Sequence, residues 1–227
     1  MSQDLAKYID HTLLSPQATK ADITKLCAEA AKHKFFAVCV NPHWVRHAAK
    51  ELANSDVAVA TVIGFPLGAN LTDIKIAEAQ RAISEGAEEL DLVINIGALK
   101  SGDIELVEQE IKAIVKLAGD RMVKVIIETD LLTDDEKVAV TKACARAQVG
   151  MVKTSTGMVK DGKGATVEDV KLIRETLGDA KIGIKASGGV RNAEHAKAMI
   201  EAGATRLGTS AGIAIVSGAA EPAKAAY

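Results

Sequence analysis

Eight times along the chain, a short apolar run is followed by a stretch whose apolar residues recur at helical spacing. The runs fall at 8–11, 36–40, 57–62, 89–94, 122–127, 150–153, 181–185 and 205–208. Runs this short, bounded by turn residues, read as buried strands, and the stretches between them read as amphipathic helices. Thr19 with Asp22, and Thr133 with Glu136, have the three-residue spacing of a capping box; Thr166 and Asp169 open a further helix. Ile104, Val107, Ile111, Ile114 and Ala118 form one helical stripe. A helix is expected over 42–53, another from Thr72, another from near Asn192, and a short one over 211–216.

Repeated strand–helix units imply parallel strands joined by right-handed crossovers. Eight units in 227 residues predict a single-domain α/β chain, a (β/α)8 TIM barrel with a tail from about 217. A doubly wound open sheet competes with this reading, but no G-x-G-x-x-G follows the first strand. A weak internal echo supports repetition, since Gly86-Ala87-Glu88-Glu89-Leu90 matches Gly203-Ala204-Thr205-Arg206-Leu207. Aromatic residues are only 3%, so the core must be built from Ala, Val, Ile and Leu.

Alternation along a strand decides which side chains enter the barrel. Ile182 and Ile184 suit the helix-facing side, which turns Gly183 and Lys185 inward. The same parity sends Lys124, Ile126 and Glu128 inward from the fifth strand, and Asp91, Val93 and Asn95 from the fourth. Met151 and Lys153 share a face on the sixth; Cys39 faces in on the second, and Asp10 and Thr12 on the first. Taken singly, each charge could be a structural ion pair, and a strand-end lysine could simply reach water. Asp10, Asp91, Lys124, Lys153 and Lys185 converging on one lumen form an active-site pattern, because buried charge is costly unless paired or used.

The run Gly150-Met151-Val152-Lys153-Thr154-Ser155-Thr156-Gly157 holds the reactive candidate. An amine attacks a carbonyl only when unprotonated, and bringing its pKa from about 10.4 to about 7 requires roughly 4–5 kcal/mol of ammonium destabilisation. Burial and a second cation both act that way, and Lys185 would supply the cation. Asp91 could move protons. Together these describe Schiff-base carbon–carbon lyase chemistry.

An anion site is also legible. Ser187-Gly188-Gly189-Val190-Arg191 follows the seventh strand, and Gly208-Thr209-Ser210 follows the eighth. Glycines let backbone N–H groups approach phosphate at this end of a barrel. His43 and His47 are four apart on a predicted helix but lack a third ligand, so a metal pair is not expected. Gly162-Lys163-Gly164 is a loop without P-loop context. Cys39 is either a small core residue or an aldehyde-reactive thiol.

A net charge of −2 gives no reason to expect nucleic-acid or membrane-surface binding, and no apolar stretch approaches a bilayer span. Three cysteines, an odd and sparse set, argue against a disulfide framework. With no basic region leading into an apolar core at the N-terminus, the expected location is the cytoplasm.

These residues resemble the deoxyribose-phosphate aldolase family. The matching pieces are Asp10-His11-Thr12, Val38-Cys39-Val40, Glu89-Leu90-Asp91-Leu92-Val93, the run from Val123 to Thr129, Val152-Lys153-Thr154-Ser155-Thr156-Gly157, Lys185-Ala186-Ser187-Gly188-Gly189-Val190-Arg191 and the terminal Tyr227. The resemblance implies reversible cleavage of 2-deoxy-D-ribose 5-phosphate to D-glyceraldehyde 3-phosphate and acetaldehyde, without metal or organic cofactor. It implies Lys153 as Schiff-base lysine, Lys185 as its pKa-lowering partner, and Asp91 and Tyr227 as proton-transfer groups. Asp10, Thr12, Cys39, Lys124, Thr156, Gly157, Gly188, Gly189, Val190, Arg191, Gly208 and Ser210 are the expected substrate and phosphate contacts. Met158 stands where some members carry a lysine. The partners implied are small sugar phosphates and aldehydes, with assembly into a homodimer or homotetramer left open. The rival readings are a Schiff-base barrel lyase for another sugar phosphate and a phosphate-binding barrel without catalysis.

Overall fold

The structure is a computed structural model that describes residues 5–218. A 3₁₀ turn, Leu5–Tyr8, leads into β1 (Ile9–Leu13). The other strands are β2 (Ala37–Val40), β3 (Ala58–Ile63), β4 (Glu89–Val93), β5 (Met122–Ile126), β6 (Met151–Lys153), β7 (Gly183–Ser187) and β8 (Arg206–Thr209). Each pairs in parallel with the next, and β8 pairs with β1, so the sheet closes in sequence order. The helices are α1 (Lys20–His33), α2 (Val45–Glu51), α3 (Thr72–Ser84), α4 (Ile96–Lys100), α5 (Ile104–Ala118), α6 (Asp134–Arg146), α7 (Val167–Leu177), α8 (Ala193–Glu201) and α9 (Gly212–Ser217). This is the (β/α)8 barrel that the alternation predicts.

The helix starts follow local chemistry. Thr19 and Thr133 each form a full capping box, with Asp22 and Glu136 respectively. Thr166 and Asn192 cap α7 and α8 by accepting the amides of Asp169 and His195. The helix expected over 42–53 divides instead into a 3₁₀ turn, Pro42–Trp44, and α2. Pro42 opens that turn, and Trp44 departs from α geometry at φ −96° and ψ −4°. His43 therefore lies outside α2, packed edge-on against Trp44, while His47 bonds the Thr24 hydroxyl, so the two do not converge as a metal pair. α4 was not foreseen; it is one short turn capped by the Asn95 side chain. Ser217 still belongs to α9, so the helix reaches into the start of the expected tail.

Parity divides the apolar residues into two layers. Leu90, Leu92, Ile94, Val123, Val125, Ile127, Ile182 and Ile184 belong to the large core between sheet and helices. Leu14, Ala37, Cys39, Ala60 and Val62 form a small cluster inside the barrel, with Phe65 and Met158 packed on it. The inner cluster fills only the β1–β3 side. The β4–β8 side carries most of the lumen's buried charge, and Asp10 adds to it from β1.

A fully buried ion pair lies outside the barrel, behind β4. The Lys75 ammonium on α3 and the Glu110 carboxylate on α5 are both fully buried, 2.6 Å apart. Lys75 also donates to the Val93 carbonyl at the end of β4, at 2.9 Å, and the Thr72 hydroxyl donates to Glu110. Removing one partner of such a pair strands a buried charge, at about 3–5 kcal/mol. Glu110→Ala is expected to lose about that much stability, read from the denaturant midpoint. Lys75→Met with Glu110→Leu should recover most of it. A single variant as stable as the double variant would show that the pair does not hold α3 and α5 against β4.

Candidate active site

Strand register sets the charged side chains side by side in the lumen. Asp91 on β4 is level with Lys124 on β5, Ile126 with Lys153 on β6, and Lys153 with Lys185 on β7. Lys185 is level with Arg206 on β8, and Asp10 on β1 with Gly208. Asp91 is the meeting point. Its Oδ2 accepts from Lys153 Nζ and from Lys185 Nζ, each at 2.8 Å, and its Oδ1 accepts from Lys124 Nζ at 2.8 Å. Asp10 receives Lys185 on one oxygen and Arg206, at 2.8 Å, on the other. Glu89 lies 2.6 Å from Lys124 and 3.1 Å from Arg206. The structure thus brings together the five residues picked by parity, and adds Glu89 and Arg206.

All three lysines are buried, and they differ in how many carboxylates they meet. Among the described residues, Lys124 has three within 4 Å (Asp10, Glu89 and Asp91), Lys185 has two (Asp10 and Asp91), and Lys153 has one (Asp91). Burial alone disfavours an ammonium, and carboxylates oppose that. For Lys124 and Lys185 burial pulls the pKa down, but the carboxylates outweigh it and hold both raised. For Lys153 burial wins; Asp91 only partly offsets it, the Lys185 charge adds to it, and the pKa is lowered. Of the two lowering causes, burial is thus the larger and Lys185 the smaller. Burial also works against ionised Asp91 and Asp10, but the surrounding cations hold both below the usual carboxylate range. Three acidic side chains, Asp10, Glu89 and Asp91, face three basic ones, Lys124, Lys185 and Arg206, and Lys153 is a fourth basic group with no fourth acid beside it. Lys153 is also the amine at the open end, 3% exposed where Lys124 and Lys185 are sealed.

The remaining expected residues are distributed around this network. Thr12 is buried and its hydroxyl donates to the Asp10 carbonyl. Cys39 sits in the inner cluster, and burial pushes its thiol up, away from the reactive thiolate. Gly208 lies inside β8; a Cβ there would meet Lys185 Cε and Ser187 Cβ at 2.8 Å each, so glycine leaves the space that Lys185 occupies. Thr156 donates its amide to Glu128, and Gly157 follows. Gly188 packs directly on the next loop, where a Cβ would be 3.1 Å from Gly164 Cα and 3.4 Å from Gly157 Cα. The carbonyls of Gly188, Gly189 and Val190 are taken by the Ala165 amide, His195 Nδ1 and the Thr209 hydroxyl, which fixes three consecutive peptide planes. The Val190 side chain points into the outer core, so only its backbone can contact a ligand, and Arg191 is exposed beyond it. Ser210 lines a cavity of about 300 Å³ that it shares with His11, Thr12 and Ser15. Tyr227 lies outside the described residues.

Sequence reasoning missed Glu89 and Arg206, although the internal echo marked them. They occupy the same place in the two matching pentapeptides, with opposite charge, and they meet across the barrel floor. Glu128 was placed inward but given no role.

The fold and this site define a class of (β/α)8 proteins in which a buried lysine with a lowered pKa stands at the C-terminal end of a barrel strand. The chain belongs to the DeoC/LacD family of aldolases, whose family model matches residues 5–218. It is 56% identical over 216 residues to a deoxyribose-phosphate aldolase of Brevibacillus brevis, covering 95% of this chain and 96% of that one. A Staphylococcus carnosus deoxyribose-phosphate aldolase is 57% identical over 215 residues, at 95% and 96% coverage. Among solved structures, a deoxyribose phosphate aldolase from Aeropyrum pernix, described as a unique tetramer, aligns with a TM-score of 0.87 at 35% identity, covering 94% of this chain and 89% of that one.

Replacing Lys185 by Leu removes the cation beside Lys153 and leaves Asp91 with fewer partners. Both changes favour the ammonium, so the apparent pKa of Lys153 should rise. Each unit of rise lowers the free-amine fraction about tenfold at neutral pH. Capture of acetaldehyde by Lys185→Leu is therefore expected to fall at pH 7 and to recover in part as pH rises. A pH profile matching that of the unaltered protein would rule out the electrostatic role.

Proposed function

We propose that the protein is a Schiff-base aldolase that reversibly cleaves 2-deoxy-D-ribose 5-phosphate to D-glyceraldehyde 3-phosphate and acetaldehyde. The observation that carries this reading is Lys153 itself: a buried amine with a single carboxylate partner and a lowered pKa, at the C-terminal end of β6. The relatives named deoxyribose-phosphate aldolase over nearly the whole chain supply the substrate class.

In this reading the neutral Lys153 amine adds to the aldehyde carbon of the open-chain sugar, and loss of water gives an iminium. Removal of the C3 hydroxyl proton lets the C2–C3 bond break, its electrons flowing into the iminium. Glyceraldehyde 3-phosphate leaves and the two-carbon enamine stays on Lys153. Protonation at its methyl carbon and hydrolysis release acetaldehyde. Asp91, in contact with Lys153, moves protons directly or through water. Lys185 keeps the amine unprotonated, and Lys124 holds Asp91 ionised. Asp10 and Thr12 at the end of β1, Cys39, and Thr156 with Gly157 after β6 shape the sugar site. The fixed loop Gly188-Gly189-Val190-Arg191, with Gly208 and Ser210, receives the phosphate; its carbonyls are already held by the protein.

Tyr227 completes the proton path in this proposal, as the resemblance implies. The whole chain then works as one catalytic unit. Three buried, unpaired cysteines fit the reducing cytoplasm, and no helix among the described residues is long and apolar enough to cross a membrane. Assembly into a homo-oligomer is supported by the tetrameric Aeropyrum pernix relative.

Borohydride reduction in the presence of acetaldehyde, followed by peptide mass mapping, should find the adduct on Lys153, and Lys153→Met should abolish it. An adduct on Lys124 or Lys185 in the unaltered protein would overturn the assignment, and no adduct at all would favour a binding protein. Deleting Tyr227 should leave trapping intact but slow exchange of acetaldehyde methyl protons with deuterated water by at least about tenfold. Exchange as fast as in the full chain would remove Tyr227 from the mechanism.

A further inference from the structure

Glu128 is a buried carboxylate that the steps above do not use. It follows β5 with φ 59° and ψ 66°, in the left-handed region. Four described non-glycine residues have positive φ: Lys34, Glu128, Gln148 and Asp161. The other three are exposed, whereas Glu128 is 2% exposed. Asn or Gly would take this conformation at lower cost. A glutamate held there, in the interior, indicates that its side chain is needed where the turn puts it.

That place is the segment just after Lys153. Glu128 Oε1 accepts the Thr156 amide at 3.0 Å, and Oε2 accepts the Thr156 hydroxyl. The Thr156 oxygen in turn accepts the Met158 amide at 3.0 Å. The backbone on either side of Glu128 holds the same segment, with the Ile127 amide on the Lys153 carbonyl and the Thr129 amide on the Thr154 carbonyl, each at 3.0 Å. Both carboxylate oxygens are engaged by Thr156, its amide on one and its hydroxyl on the other. Among the described residues, no cation lies within ion-pair distance of Glu128, in contrast to Asp10, Glu89 and Asp91. Burial, with Asp130 adding to it, holds the Glu128 pKa raised, while the two Thr156 hydrogen bonds and the charge of Lys153 pull the other way, so a cation forming at Lys153 favours the carboxylate. Glu128 and Thr156 also border a cavity of about 440 Å³ lined otherwise by apolar side chains such as Ile96, Leu131 and Met158. Charges beside such a surface are poorly screened.

The lumen's permanent cations are already matched by Asp10, Glu89 and Asp91. Glu128 is one carboxylate more than that balance needs, and the neutral Lys153 is one nitrogen that can become positive. We propose that Glu128 is a positioning residue for the aldol reaction, holding the β6 end through Thr156 and serving as the counter-charge of the Lys153 iminium. The inference rests on the Schiff-base reading of Lys153. Iminium formation joins the amine nitrogen to the carbonyl carbon, expels the carbonyl oxygen as water and takes up one proton from solvent. The nitrogen gains one positive charge, and the site passes from one excess negative charge to balance.

The test uses the full-length protein and acetaldehyde, with borohydride trapping measured from pH 5 to 9. Glu128→Gln keeps the shape and can still accept the Thr156 amide, but carries no charge. It is expected to keep the melting temperature and to lower the yield of trapped iminium at pH 7 at least about tenfold. Its apparent amine pKa should fall, because an anion near the ammonium has been removed. Glu128→Asp retains the charge and should keep the trapping pH profile even if the Thr156 clamp loosens and turnover drops. Glu128→Gln trapping with the unaltered yield and pH profile would overturn the proposal. So would equal losses in Gln and Asp variants, since that pattern reports shape alone. Absence of a Lys153 adduct in the unaltered protein would instead defeat the Schiff-base reading, so the two failures are separable.

Discussion

Everything in the lumen depends on one carboxylate taking three amines. Asp91 is fully buried and binds Lys124, Lys153 and Lys185 at the same distance, 2.8 Å. An isolated buried carboxylate would be strongly disfavoured as an anion, and so would each ammonium. Together they compensate, but one carboxylate cannot satisfy three cations. The deficit is settled by the other two carboxylates, which lie on the closed side of the network and reach Lys124 and Lys185 but not Lys153. The amine left short is the one nearest the opening. Reactivity here is a position in a chain of ion pairs, and no property of Lys153 in isolation would give it.

Strand parity is why so much of this was legible in the sequence. In a closed parallel barrel, the inward set follows from counting alternate residues once the outward isoleucines and valines are recognised. That reasoning placed Asp10, Asp91, Lys124, Lys153 and Lys185 in one lumen, where the structure has them. What parity cannot supply is height along the barrel axis. Glu89 and Arg206 are the first residues of their strands, and without register a first residue cannot be told from a loop charge on the surface. The echo between the pentapeptides at 86–90 and 203–207 held the clue, because equal places in equal units reach equal heights.

Other parts were illegible for local reasons. The division of the 42–53 segment depends on Pro42 and the Trp44 backbone, and no apolar periodicity reports that. Val190 sits in a glycine-rich run that suggested ligand contact, yet its side chain serves the outer core and only its peptide faces the loop. Gly208 carries a phosphate expectation from its loop, and in the structure a side chain there would also meet Lys185 and Ser187. A glycine motif tells that something approaches closely; only coordinates tell whether that is a ligand or a neighbouring side chain.

The same geometry explains why three lysines in one barrel need not compete for one substrate. They share residue type, burial and a common partner, so those cannot distinguish them. Each carboxylate added to an ammonium's surroundings deepens its preference for the charged state, and at low dielectric each addition counts for more than in water. Lys124, with three, and Lys185, with two, are held protonated and cannot act as nucleophiles at neutral pH. Burial lowers the pKa of Lys153, and the charge of Lys185 beside it adds to that lowering. The selectivity is therefore self-consistent: fixing two amines as cations is what frees the third. Moving one carboxylate up a strand by two residues would change which lysine it meets, so the floor pair Glu89–Arg206, through the contact of Glu89 with Lys124, is tied to the same network as Lys153.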